Sequence, residues 1–133
     1  MELEIVRRID SLQEIYDFIE SFFESNGTAE PVRYPVHFVV EELFTNMVKY
    51  NPGNMNTVLL NIENEGDGVK VMLTDYDVDN FDVTKKREVD IHAPLEERKV
   101  GGLGLHLIRH MVDKLDYHYE DRQSRITFTK GPG

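Results

Sequence analysis

Two pairs of alternating apolar runs, each closed by a short turn, constrain the fold of this chain more than any other feature. Val58, Leu60 and Ile62 alternate with their neighbours, as do Val69, Val71 and Leu73, and Gly66-Asp67-Gly68 separates the two runs. A period of two marks a strand with one buried face, and a glycine-bearing turn between two such runs marks a hairpin. Residues 117–120 and 125–129 repeat the pattern around residues 121–124. Strands that come as hairpins pair with their sequence neighbours. The expected class is therefore α+β, a two-layer α/β sandwich with a mixed, mostly antiparallel sheet and three helices on one face, and not a doubly wound parallel sheet.

The helices follow from the intervening segments. Leu3, Ile5 and Arg7 alternate with polar positions and predict a first strand ending near Ile9. Ser11-Leu12-Gln13-Glu14 fits a capping box, with serine at the helix start and glutamate three residues on. Leu12, Ile15, Tyr16, Ile19, Phe22 and Phe23 then recur at helical spacing, predicting a helix to about residue 25 that Asn26-Gly27 ends. A second helix is expected over residues 32–50, stopped by Asn51-Pro52-Gly53, and a third over 103–114. Residues 75–100 are highly charged and show no sustained period. A loop of that length in a small domain is usually functional or disordered. Without repeats, low-complexity tracts or a linker, residues 1–133 read as one domain.

Composition narrows the function classes. With 133 residues the chain can bury a core without covalent staples, and with no cysteine it has no disulfide, thiolate metal site or cysteine nucleophile. Its formal charge of −10 repels nucleic-acid backbones and anionic lipid. No apolar run approaches the roughly 18 residues of a bilayer span, and Met1-Glu2-Leu3-Glu4 does not read as a signal peptide, so a cytoplasmic location is expected. The cations are unevenly spread: Lys85, Lys86, Arg87, Arg98 and Lys99 all fall in the long loop.

On a helical wheel of the second helix, Val36, Val40, Leu43, Met47 and Tyr50 share one arc. Glu42 and Asn46 are four apart and stack one above the other at its flank, beside Val39. A carboxylate and an amide there could line a cleft and hold a water or hydrated Mg²⁺; they could equally be the polar shoulder of an amphipathic helix. Gly101-Gly102-Leu103-Gly104-Leu105 opens the third helix. Glycines let a backbone approach a phosphate closely, and a helix start offers free N–H groups to an anion. The alternative is a merely flexible helix start.

Other motifs fail on their own chemistry. The glycine run is not a P-loop, and Leu107 stands where a dinucleotide fingerprint needs its third glycine. Asp75-Tyr76-Asp77-Val78-Asp79-Asn80 opens like a calcium loop, but Asn80 replaces the required glycine and Lys86 the twelfth-position glutamate. His106 and His110 are four apart without a third ligand at a telling spacing, which favours a packing or solvated role. No Ser/His/Asp arrangement stands out.

Taken together the motifs resemble the histidine-kinase-like (Bergerat) ATPase superfamily, and within it the small anti-sigma-factor serine/threonine kinases of bacteria. Val39-Val40-Glu41-Glu42-Leu43-Phe44-Thr45-Asn46 resembles the family's N box. Residues 75–82, ending Phe81-Asp82, resemble its first glycine box, and Gly101-Gly102-Leu103-Gly104-Leu105-His106-Leu107-Ile108 its second. The likeness runs from about Leu3 to Lys130. It implies ATP and Mg²⁺ as cofactors. Asn46 would carry the Mg²⁺ and Glu42 would be the general base. Asp75 would accept from the adenine amino group. Gly101, Gly102, Leu103, Gly104 and Leu105 would wrap the phosphates, with Lys99 on a lid over residues 83–100. Implied partners are a sigma factor or similar regulator and a small antagonist protein, with a homodimer as the family's habit.

Three positions depart from the family pattern. Asp77 stands where relatives carry glycine, and the spacing from Asp75 to Phe81 is one residue longer; the loop is either rebuilt or adenine binding is impaired. Tyr50 stands where relatives often have histidine. Arg125 aligns where many carry threonine near the adenine aspartate. The expected function is thus an ATP-binding anti-sigma factor with kinase activity. The alternative is a binding module that sequesters a partner without phosphoryl transfer. The ATPase module of a sensor histidine kinase is a third reading, disfavoured because no dimerisation helices or phosphoacceptor segment stand before the domain.

Overall fold

The computed structural model describes residues 1–81 and 102–133, with the side chains of 102–105 left aside. The elements run β1 (Glu2–Ile5), a 3₁₀ turn (Ile9–Ser11), α1 (Leu12–Asn26), α2 (Glu30–Tyr50), β2 (Val58–Glu65), β3 (Gly68–Tyr76), α3 (Gly102–Met111), β4 (Lys114–Glu120) and β5 (Gln123–Lys130). The sheet order is β1-β2-β3-β5-β4 and every pairing is antiparallel. The mostly antiparallel sheet expected from the hairpins is thus wholly antiparallel among the described residues.

Register places the apolar positions on one face. Leu60 pairs with Leu73 and Ile62 with Val71, while Leu73 and Val71 pair onward with Ile126 and Phe128. All six are buried in one cluster with Ile15, Ile19, Phe22 and Phe23 of α1, Val36, Val40, Leu43 and Phe44 of α2, and Ile108 of α3. The three helices therefore cover the same face, and each fully buried Leu, Ile, Val or Phe there stabilises the fold by roughly 1.5–3 kcal/mol before entropy is counted. Glycine is required sterically at Gly68, where a Cβ would lie 2.2 Å from the Lys130 carbonyl oxygen.

Several expectations shift. β1 ends at Ile5 and not near Ile9, because the chain turns through Arg8 into the 3₁₀ turn. Ser11 does not cap α1: it has αR torsions and its hydroxyl donates back to the Val6 carbonyl at 2.8 Å. Tyr16 is 49% exposed and stacks on His37 outside the core. Helix α1 does end at Gly27, which takes φ 61° and donates its N–H to Phe23. Helix α2 starts two residues early, with Pro31 in its first turn, where a missing N–H costs nothing. Helix α3 ends at Met111, ahead of the expected 114, and β4 takes up the chain at Lys114.

Candidate functional site

The C-terminal half of α2, the end of β3 and the start of β5 enclose a cleft of about 230 Å³. Asn46, Met47 and Tyr50 line it from α2 and Asn51 from just beyond its end, Asp75 from β3, Ser124 and Ile126 from β5, and Val78–Phe81 from the segment after β3. This volume lies below the roughly 300–1,000 Å³ of most ligand pockets and suits one ring system better than a whole nucleotide. Asn46 and Asp75 both line this cleft. Glu42 sits one turn earlier on α2, half-buried, and is not among the described lining residues. Gly102, Leu103, Gly104 and Leu105 form the first turn of α3, which packs against α2. Gly101, Lys99 and the other cations of the long loop lie outside the described residues.

Asn46 is deeper than its place at the flank of the apolar arc suggested. It is only 6% exposed, and its Nδ2 has no hydrogen-bond partner among the described residues. Native proteins rarely leave such a group unsatisfied, and when they do it often marks a bound water, ion or ligand. Across the cleft the Asp75 carboxylate is 2% exposed as a residue. Its charge is balanced by Arg7, whose Nη2 donates to Oδ1 and whose Nη1 lies 3.4 Å from Oδ2. Arg7 also donates through Nη1 to the Met47 carbonyl at 3.1 Å and through Nε to the Asn56 carbonyl at 3.3 Å.

Asp77 takes φ 57°, the left-handed conformation a glycine would adopt there, which Asp tolerates better than most residues. Its carboxylate accepts from Arg122 Nε at 2.8 Å, while Arg122 Nη1 donates to Asp79 at 3.0 Å. These hydrogen bonds, that to Asp77 foremost, push the Arg122 guanidinium further up from its already high value. Arg122 belongs to the two-residue β4–β5 turn, where Asp121 and Arg122 both have positive φ as a type I′ hairpin demands. Val78 donates its N–H to the Arg122 carbonyl, Tyr119 donates its hydroxyl to the Val78 carbonyl, and Tyr117 donates to Asn80. Asp77 is therefore clipped onto the hairpin, and its side chain is not among the described groups lining the cleft.

Two site residues were missed in the sequence. The residue opposite Asp75 is Ser124, buried and lining the cleft; Arg125 pairs with Thr74 and faces the other side of the sheet. The expected alignment of Arg125 near the adenine aspartate is corrected accordingly, because successive strand side chains alternate faces. Arg7 was legible only as the continuation of the Leu3, Ile5 alternation, which put it on the inward face. Tyr50 lies against Phe81, ring centres 4.8 Å apart, so the aromatic in the histidine position helps wall the cleft. His106 and His110 are exposed and contact each other edge to face, and no cluster of three metal-ligating side chains exists among the described residues.

An antiparallel sheet covered on one face by three helices, with a cleft between α2 and the ends of β3 and β5, accords with a histidine kinase-like ATPase domain. The sequence model of that family matches residues 5–130, and the chain belongs to it. Among solved structures it is similar to the RsbU and RsbW domains of Rv1364c from Mycobacterium tuberculosis, with a TM-score of 0.70 and 10% identity. That likeness, which is one of fold, covers 98% of this chain and 32% of the neighbour's. No curated protein gives a significant sequence match. No helix among the described residues is long and apolar enough to cross a membrane.

Proposed function

We propose that this chain is an ATP-binding anti-sigma regulatory domain with serine/threonine kinase activity on a small antagonist protein. One observation carries the reading: a buried Asn46 amide, its Nδ2 without a partner among the described residues, and a buried Asp75 carboxylate line one cleft in a chain of the histidine kinase-like ATPase family. The RsbW domain in its structural neighbour supports the regulatory class. The residues present fit a magnesium nucleotide. Asn46 offers an amide oxygen, and Mg²⁺ needs only one or two protein ligands beside phosphate oxygens. The first N–H groups of α3, at Gly102 to Gly104, have no intrahelical acceptor and suit phosphate oxygens, with Gly101 and Lys99 as further candidates.

Asp75 accepts from the exocyclic amino group of the base, with the Ser124 hydroxyl beside it. Glu42, one turn before Asn46, takes the proton of the attacking hydroxyl. Bound ATP supplies the transferable phosphoryl group, and its Mg²⁺ neutralises developing charge. The partners of this reading are a sigma factor or similar regulator and the antagonist, in the cytoplasm, with the chain as a homodimer.

Labelled ATP and a candidate antagonist protein provide the test. Label should reach a serine or threonine of the antagonist, and both Glu42→Ala and Asn46→Ala should abolish transfer. Transfer untouched by Glu42→Ala overturns the kinase assignment. Regulator binding with no calorimetric Mg–ATP binding would make the chain a sequestering module.

A further inference from the structure

We infer that Arg7 is a positioning residue for base recognition, acting through Asp75; the inference deepens the ATP-binding reading and rests on it. Arg7 lies in the segment between β1 and the 3₁₀ turn, remote from every motif of the ATPase pattern. Its side chain is 4% exposed and that of Asp75 3%, so the pair is desolvated as a unit. A carboxylate buried alone would be strongly disfavoured, and a planar guanidinium can satisfy both its oxygens at once with two parallel donors.

Two arrangements could produce this contact. In the first, Arg7 fills the base site and must leave when a ligand enters. In the second, Arg7 grips Asp75 from behind and leaves its cleft side open. The structure favours the second. Asp75 lines the cleft and Arg7 is not among the described lining residues. Arg7 is also tied by two further donations, to the end of α2 at Met47 and to the approach to β2 at Asn56. A group held at four acceptor atoms on three segments is an anchor, not a mobile plug. Each carboxylate oxygen has two acceptor sites and Arg7 takes one on each, which leaves a site for a base amino group. Arg7 thereby fixes the rotamer and the charge of the residue that discriminates one base from another.

The test compares the wild-type chain with Arg7→Lys and Arg7→Met by calorimetry, using Mg–ATP, Mg–GTP and magnesium tripolyphosphate. Circular dichroism confirms folding. Lys keeps a charge but cannot fork, so Arg7→Lys guards against a Met variant that fails to fold. We expect ATP affinity to fall by roughly tenfold or more in Arg7→Lys, the worth of one charge-assisted hydrogen bond, with the ATP-over-GTP preference lost. Tripolyphosphate affinity should stay within about twofold, because the phosphate end is held by other residues. A purely structural role would weaken all three ligands in parallel and would overturn the inference. Unchanged or tighter ATP binding in a folded Arg7 variant also overturns it, the latter by showing that Arg7 competes with the base; in both cases the ATP-binding reading survives. A wild-type chain that binds neither ATP nor tripolyphosphate overturns both.

Discussion

At the scale of single residues, Asn46 poses the sharpest conflict between stability and function. A buried amide N–H₂ with no partner among the described residues costs about 1–3 kcal/mol of desolvation where nothing else satisfies it. Asn46→Leu, of similar size, removes that cost and adds apolar contact with the adjoining Leu43 and Met47. Urea denaturation of the ligand-free chain should show Asn46→Leu more stable than wild type by about 1 kcal/mol, while calorimetry shows Mg–ATP binding gone. A variant that loses stability together with binding would mean that the amide is structural. Gly68 carries the opposite kind of constraint. Its would-be Cβ meets backbone at 2.2 Å, which no rotamer change relieves. Gly68→Ala should therefore lose about 1–3 kcal/mol in the same denaturation experiment, the cost typical of overpacking, with the base site intact.

At the scale of elements, the segment after β3 owes its path to the β4–β5 hairpin. Arg122 spans the two, holding Asp77 and Asp79 by its side chain and Val78 by its carbonyl. Arg122→Gly suits the positive φ of the turn and keeps that carbonyl, but removes both carboxylate contacts. Hydrogen exchange should quicken at the amides of Val78 and Phe81 while those of β5 stay protected; equal protection in the variant would show that the backbone contact alone positions the segment. The same elements show how far the sequence could be read. The hairpins, α1 and α2 were legible because period-two and helical apolar patterns are local and each runs over several residues. The N-terminal cap of α1 was not, because the Ser11 hydroxyl bonds to Val6 and not to the helix it precedes. Asn46 and Asp75, which both line the cleft, were readable as candidates because their motifs are local too. Ser124 was missed because it joins the site through sheet register, and Arg7 because its side chain reaches Asp75 from 68 residues away in sequence. The path of the chain at Asp77 could not be read locally either, since its partner Arg122 lies 45 residues on.

At the scale of the whole molecule, a ligand that binds only the folded chain must stabilise all of it. The cleft draws on α2, β3 and β5, which are packed in one core, so local occupancy cannot be separated from global unfolding. With Mg–ATP at a hundred times its dissociation constant, linkage adds about 2.7 kcal/mol to the unfolding free energy. For a domain of this size that corresponds to a rise in midpoint temperature on the order of 10 °C. The metal dependence gives this prediction a second arm. A chain of net charge −10 disfavours a bare triphosphate, so chelating the Mg²⁺ removes both the Asn46 ligand contact and the charge that makes approach tolerable. A thermal scan should therefore show the shift with Mg–ATP, most of it lost with ATP and a chelator, and most of it lost again in Asp75→Asn with metal present. Equal shifts for Mg–ATP and magnesium tripolyphosphate would place all the binding at the phosphate end and none at Asp75. The cleft would then be a phosphate site on an ATPase fold, and base recognition, with the role of Arg7 in it, would fall.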